Sequence, residues 1–189
     1  MPRGFNKVFG IGLSRTATRS LSFALQELGI PTIHFPSDQR TFDQLSSGDY
    51  ALSVLAEAGA ITDTPAAAFF AQLDTAFPGS RFVLTVRNPS AWLASCEKLW
   101  RYTTAAQRTP YHRFINGAVY GTWEFTAERF RYVYQRHLNE VREFFRDRPG
   151  DLLELDICAG QGWEPLCQFL DLPRPPVPFP HRDLLVPGG

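Results

Sequence analysis

Residues 10–21 read GIGLSRTATRSL, in which two glycines are followed by hydroxyls and two arginines. The apolar run from Lys7 to Leu13 delivers the chain into this segment, and helical periodicity begins within five residues of it. A strand-to-helix turn of this kind aims unpaired backbone N–H groups and the positive helix end at one point, where a phosphate or sulfate can sit. Gly12, Ser14, Arg15, Thr16, Ala17, Thr18, Arg19 and Ser20 are the candidate lining of that cradle. The alternative is an ordinary turn whose Ser and Thr side chains only cap the helix. The spacing is not that of a Walker loop, because Ser14 stands at the second glycine and Arg15 at the lysine. It also fails the dinucleotide pattern GxGxxG, since Arg15 holds the third glycine position.

A second candidate anchor follows RFVLTV (81–86), the clearest strand in the chain. Arg87 ends that strand, and a guanidinium at the carboxyl edge of a sheet can make a paired contact with phosphate. Ser95 lies in the following helix, and one phosphate reaches both residues only if that helix starts close to it. The structural alternatives are a salt-bridge partner for Arg87 and an ordinary helical serine at 95. Asp63, in ITDTP (61–65), suits the N-cap of a helix beginning near Pro65. His34, at the end of another short apolar run, has the bland reading of a satisfied, half-buried histidine.

The elements that position these residues alternate in type. Strands are expected at Lys7–Leu13, Thr32–Phe35, Ala60–Thr62, Arg81–Val86 and Leu152–Leu155. Helices are expected at Thr18–Leu28, Arg40–Ser46, Ala51–Ala58, Ala66–Phe77, Trp92–Trp100 and Trp163–Leu170, with one or two more between Tyr111 and Phe145. Short, continuously apolar strands separated by helices are the pattern of a parallel sheet covered on both faces. The expected fold is therefore α/β, a three-layer sandwich around about four or five mostly parallel strands. A length of 189 residues and 44% hydrophobic content suit a single domain spanning 1–189. Six of the fifteen prolines fall from Pro173 onward, so the C-terminal segment reads as a strap across that domain.

Charge and cysteine content exclude other classes. Nineteen basic residues balance nineteen acidic ones, leaving no global field to attract nucleic acid. Within the basic set, 17 are arginines beside only Lys7 and Lys98, which favours forked anion contacts. The three cysteines, Cys96, Cys158 and Cys167, form no CxxC pair, so neither a disulfide framework nor a zinc site is expected. No membrane span or signal peptide is readable, and a cytoplasmic location is the expectation.

With these segments in view, the chain resembles the P-loop sulfotransferase superfamily, and most closely the branch whose first loop reads GxxRTGTxSL. The resemblance implies a P-loop NTPase-like fold and transfer of a sulfuryl group from 3′-phosphoadenosine 5′-phosphosulfate (PAPS) to a hydroxyl or amine. It implies that Arg15 and the loop amides hold the 5′-phosphosulfate and that Arg87 and Ser95 select the 3′-phosphate, with no metal required. ITDTP resembles the segment that carries the family's catalytic histidine, which puts Asp63 at the base position, with His34 as the rival base. Ala17 departs from the usual glycine. Arg19 departs from a small hydroxylated residue and either clamps the donor or faces solvent. The late segment PFPHRD (178–183) matches the same branch, and Arg182 is the substitute for a basic C-terminal loop that the chain lacks.

The acceptor is expected to be a small molecule or glycan-like. Trp92, Phe114, Tyr120 and Trp123 are candidates for its pocket or for the core, and Arg101 and Arg113 either reach it or face solvent. Two rival classes remain: a P-loop nucleotide kinase, and a non-catalytic nucleotide- or anion-binding domain.

Overall fold

The structure, a computed structural model, describes residues 4–102 and 109–181. Its strands are β1 (Val8–Gly10), β2 (Thr32–His34), β3 (Ala60–Thr62), β4 (Arg81–Thr85) and β5 (Leu152–Leu155). Its helices are α1 (Thr18–Glu27), α2 (Gln39–Ser47), α3 (Phe70–Ala76), α4 (Pro89–Tyr102), α5 (Pro110–Tyr120), α6 (Ala127–Phe144) and α7 (Trp163–Leu170). The five strands form one all-parallel sheet in the order β2-β3-β1-β4-β5. The expected α/β fold is the one observed.

Alternation along each strand sorts the core into two layers. Val8, Ala60, Val83 and Leu155 pack on one face with Leu21 and Leu25 of α1 and with Trp163, Leu166 and Leu170 of α7. Phe9, Ile61, Phe82 and Leu84 point to the other face, against Trp92 of α4 and Phe130, Val133 and Val141 of α6. The helices that follow β1 and β4 thus lie on opposite faces of adjacent strands. Their leading loops diverge and open a crevice at the carboxyl edge of the sheet, where ligands of open α/β sheets collect.

Two elements differ from expectation, and a third expectation that left one or two helices open is resolved to two. The helix expected at Ala51–Ala58 is a 3₁₀ turn, Ser53–Ala56. The Gln44 side chain accepts from both the amide and the hydroxyl of Ser53, and the Lys7 ammonium donates to the carbonyls of Leu55 and Ala58. Side chains from elsewhere thereby occupy groups that a longer helix would have used internally. The helix expected at Ala66–Phe77 begins only at Phe70, because Asp63 has left-handed backbone (φ 72°) and the chain turns through residues 64–68 first. The segment Tyr111–Phe145 is two helices broken at Gly121, whose φ is 63°. Arg129 Nε donates to the Tyr120 carbonyl at 2.6 Å and closes the end of α5.

Beyond α7 the chain crosses back over that helix. Trp163 Nε1 donates to the Val177 carbonyl at 2.7 Å, and the Trp163 and Phe179 rings meet edge to face at 4.9 Å. Arg182 lies outside the described residues.

Candidate active site

The first loop is fastened from beneath by three elements. The Ile11 amide donates to the Val83 carbonyl of β4, and the Ile11 carbonyl accepts from His137 Nε2 of α6 at 2.7 Å. Trp92 Nε1 of α4 donates to the Ser14 carbonyl at 2.9 Å. Gly12 makes the tight approach possible, since a Cβ there would stand 1.9 Å from Thr85 Oγ1 and 2.5 Å from the Thr85 carbonyl oxygen. Thr16 Oγ1 completes the fastening, donating to the Leu13 carbonyl and pairing with Thr85 Oγ1, each at 2.7 Å.

Above this base opens a cleft of about 650 Å³. Arg15 from the loop, Arg19 from α1 and Arg87 from the end of β4 all line it. Arg15 Nε donates to Ser95 Oγ of α4 at 2.8 Å, and Arg87 Nη1 donates to the Arg15 carbonyl at 3.1 Å. The Arg19 Nε is buried and has no hydrogen-bond partner among the described residues. Together with the start of α1, these groups concentrate positive charge at the carboxyl ends of β1 and β4.

One carboxylate faces that charge. Asp63, 5% exposed, accepts from Ser14 Oγ at 2.5 Å, Thr18 Oγ1 at 2.6 Å and the Thr64 amide at 2.7 Å. His34 Nε2 stands 3.9 Å from Asp63 Oδ2, while its Nδ1 pairs with Thr62 Oγ1 at 3.0 Å. Burial holds His34 below its ordinary pKa of 6.5, Asp63 pulls it back up, and Arg19 adds to the lowering. The imidazole is therefore neutral at pH 7 and able to accept a proton.

Backbone strain collects here as well. Arg15, Ala17, Phe35 and Asp63 line the cleft with left-handed φ between 52° and 76°. Such conformations cost non-glycine residues roughly 1–2 kcal/mol each and persist where the surroundings fix them.

Residues 7–184 match the sulfotransferase domain family. The chain belongs to that family. The chain is also 30% identical, over a 220-position alignment, to the Ava biosynthesis cluster protein M of Aspergillus versicolor, covering 93% of this chain and 80% of the relative.

Most of the residues expected in the sulfotransferase site converge on the cleft: Ser14, Arg15, Ala17, Thr18, Arg19, Ser20, His34, Asp63 and Arg87 line it. Gly12 and Thr16 do not, because close packing against Thr85 uses both of them to hold the loop. Ser95 reaches the site through Arg15. The capping alternative for Asp63 is overturned, since α3 starts seven residues later without a side-chain cap and the carboxylate serves the first loop instead. Arg19 lines the cleft.

Of the four aromatic candidates, Tyr120 alone lines the cleft. Trp92 is core, Phe114 packs on Phe42 and Phe69, and Trp123 is 49% exposed. Arg101 pairs with Glu97 along α4 in solvent, and Arg113 is exposed. The sequence reading missed His112 and Asn116, which line the cleft with Tyr120. Their signal was a spacing of four along one helix.

Proposed function

We propose that this sulfotransferase moves a sulfuryl group from PAPS to a hydroxyl or amine of a small-molecule acceptor. The observation that carries the reading is the meeting of three guanidiniums from three separate segments at the start of α1, one of them with a buried, unpartnered Nε. An unsatisfied buried donor costs roughly 1–3 kcal/mol, and an anion in the cleft would relieve that cost. The donor set therefore fits a ligand with several anionic groups.

Arg15, Arg19 and the amides of Ala17 and Thr18 would hold the 5′-phosphosulfate, and Arg87, with Ser95 steadying Arg15, would hold the 3′-phosphate. PAPS, when bound, supplies the sulfuryl group. The guanidiniums stabilise negative charge that grows on the departing side, as in other group transfers dominated by electrostatics. His34 Nε2 accepts the acceptor's proton, and Asp63, 3.9 Å away, offsets the charge that results. Asp63 fits this role better than that of the base, since three donors already occupy its oxygens. The relative's name places it in a biosynthesis cluster, which supports a small-molecule acceptor.

A binding-only reading draws on Ala17, whose methyl group stands in left-handed backbone at the family's usual glycine. Calorimetric titration tests both. Adenosine 3′,5′-bisphosphate should bind well ahead of adenosine 5′-monophosphate, and Arg87→Ala should lose most of that preference. Equal binding of the two by the wild type would overturn the donor assignment, and tight bisphosphate binding without turnover of any acceptor would select the binding domain.

A further inference from the structure

β4 ends at Thr85, the Val86 amide makes one more bond, to the Leu155 carbonyl of β5, and α4 begins at Pro89. Arg87 lies in the gap between them, and its backbone is held from α6. Tyr134 Oη accepts from the Arg87 amide at 2.9 Å and donates to the Arg87 carbonyl at 2.6 Å. One hydroxyl thus makes both of the bonds that a facing residue of an antiparallel strand would make, using its donor and one lone pair. Tyr134 is 4% exposed and is not among the described residues that line the cleft. Any effect it has on a ligand therefore passes through Arg87.

The ring of Tyr134 extends this hold to the first loop. The Tyr134 and Trp92 rings lie 4.6 Å apart, and Trp92 Nε1 donates to the carbonyl of Ser14, the residue before Arg15. Arg87 Nη1 in turn donates to the Arg15 carbonyl. A circuit results, from Tyr134 to Arg87, on to the Ser14–Arg15 backbone, and back through Trp92 to Tyr134. Two arginine-bearing segments are held at one spacing by a pair of aromatic side chains from α4 and α6. Groups that bind a ligand must be held to about 0.5 Å by their surroundings, and in this circuit the Tyr134 hydroxyl is the link that a one-atom deletion removes without altering charge or ring packing.

We propose that Tyr134 is a positioning residue for anion binding: its hydroxyl sets the backbone from which the Arg87 guanidinium reaches into the cleft. The proposal rests on the reading that Arg87 holds an anionic group of the donor, and it adds a residue that touches no ligand.

The test is Tyr134→Phe, which keeps the ring against Trp92. Affinities for adenosine 3′,5′-bisphosphate and for inorganic pyrophosphate are measured calorimetrically, with and without Arg87→Ala in the same chain. Tyr111→Phe is the control, because Tyr111 also donates a buried hydroxyl to a backbone carbonyl, that of Pro36, and is not among the described residues of the cleft lining. Tyr134→Phe should weaken both ligands about 3- to 10-fold, the range of one hydrogen bond. It should cause no further loss with Arg87→Ala in place, as expected of two residues that act through one contact. Tyr111→Phe should lower the melting temperature and leave both affinities at the wild-type value. Backbone amide exchange of Arg87 should accelerate in Tyr134→Phe by more than that of Val86, whose bond to Leu155 remains.

Unchanged affinities in Tyr134→Phe, an equal loss with and without Arg87→Ala, a like loss in Tyr111→Phe, or a Tyr134→Phe chain that does not fold would each overturn the positioning role and leave the donor reading standing. A wild type that binds pyrophosphate but does not prefer the bisphosphate to adenosine 5′-monophosphate would overturn the donor reading. Tyr134 then stands if its substitution weakens pyrophosphate through Arg87 and falls if it does not. Failure of the wild type to bind either anion would overturn both.

Discussion

Arg15 Nε donates to Ser95 Oγ at 2.8 Å, joining the first loop to α4 across eighty residues of sequence. The bond fixes one edge of the guanidinium before any ligand arrives, and Arg87 Nη1 on the Arg15 carbonyl fixes the backbone that carries it. Pre-ordering of this kind lowers the entropic cost of binding. The pairing also explains how a serine outside the cleft lining can act on it.

Ser95→Ala should therefore weaken ligand binding without unfolding the chain. A hydrogen bond to a charged group contributes about 1.5–3 kcal/mol at most, and the half-exposed setting reduces this. Affinity for adenosine 3′,5′-bisphosphate should fall severalfold by calorimetry while the melting temperature stays close to wild type. An unchanged affinity would mean that Arg15 needs no positioning by α4.

Gly12→Ala should damage the fold itself. Its Cβ would overlap both the hydroxyl and the backbone carbonyl of Thr85, so trimming the Thr85 side chain would not make room. Overpacking against backbone is expected to cost about 3 kcal/mol or more, a melting-temperature drop of roughly 6–12 °C for a chain of this size. Gly150→Ala, with nothing within 4 Å of its would-be Cβ, is the control and should be neutral.

The sheet and the arginine-lined half of the cleft were legible because their signals are local. Apolar runs bounded by Gly and Pro mark β1 and β4, and GIGLSRTATRSL states its own turn and charges. The role of Asp63 was not legible, since a local reading of ITDTP favours a cap and only the fold brings Ser14 and Thr18 to its oxygens. Thr16 misled in the opposite direction: a loop hydroxyl beside Arg15 suggests a ligand contact, yet its partner is Thr85, sixty-nine residues away. The shortened α3 has a similar cause, because the propensity of the alanines at 66–68 yields to a tertiary requirement on Asp63.

His137 predicts the acid limit of stability. It is buried beneath the first loop, donates to the Ile11 carbonyl, and is held at a pKa of about 4 by burial. The unfolded chain takes up the proton near the ordinary 6.5, so this contribution is complete above that pH and is lost as pH falls toward 4. Its size is about 3 kcal/mol. Denaturant unfolding between pH 7 and 4 should show a steeper loss for wild type than for His137→Gln, which cannot titrate. Parallel curves would mean that His137 is not the group responsible.

His34 and Asp63 make separable predictions about the chemistry. With neutral His34 as the base, transfer falls as pH drops through a pKa below the ordinary 6.5, because protonation removes the accepting lone pair. His34→Gln should lose roughly 10²-fold or more in rate and lose the acid limb with it. Asp63→Asn removes the negative charge that holds the His34 pKa up, so the acid limb should move to lower pH while a slower reaction persists. Asn can still accept from Ser14 and the Thr64 amide, so the variant should stay folded and bind adenosine 3′,5′-bisphosphate. The measurement is the single-turnover rate from pH 4.5 to 8 for the three proteins, with any acceptor that the wild type turns over. If Asp63→Asn abolished transfer while His34→Gln kept both rate and acid limb, the proton would go to Asp63, and His34 would be only its neighbour.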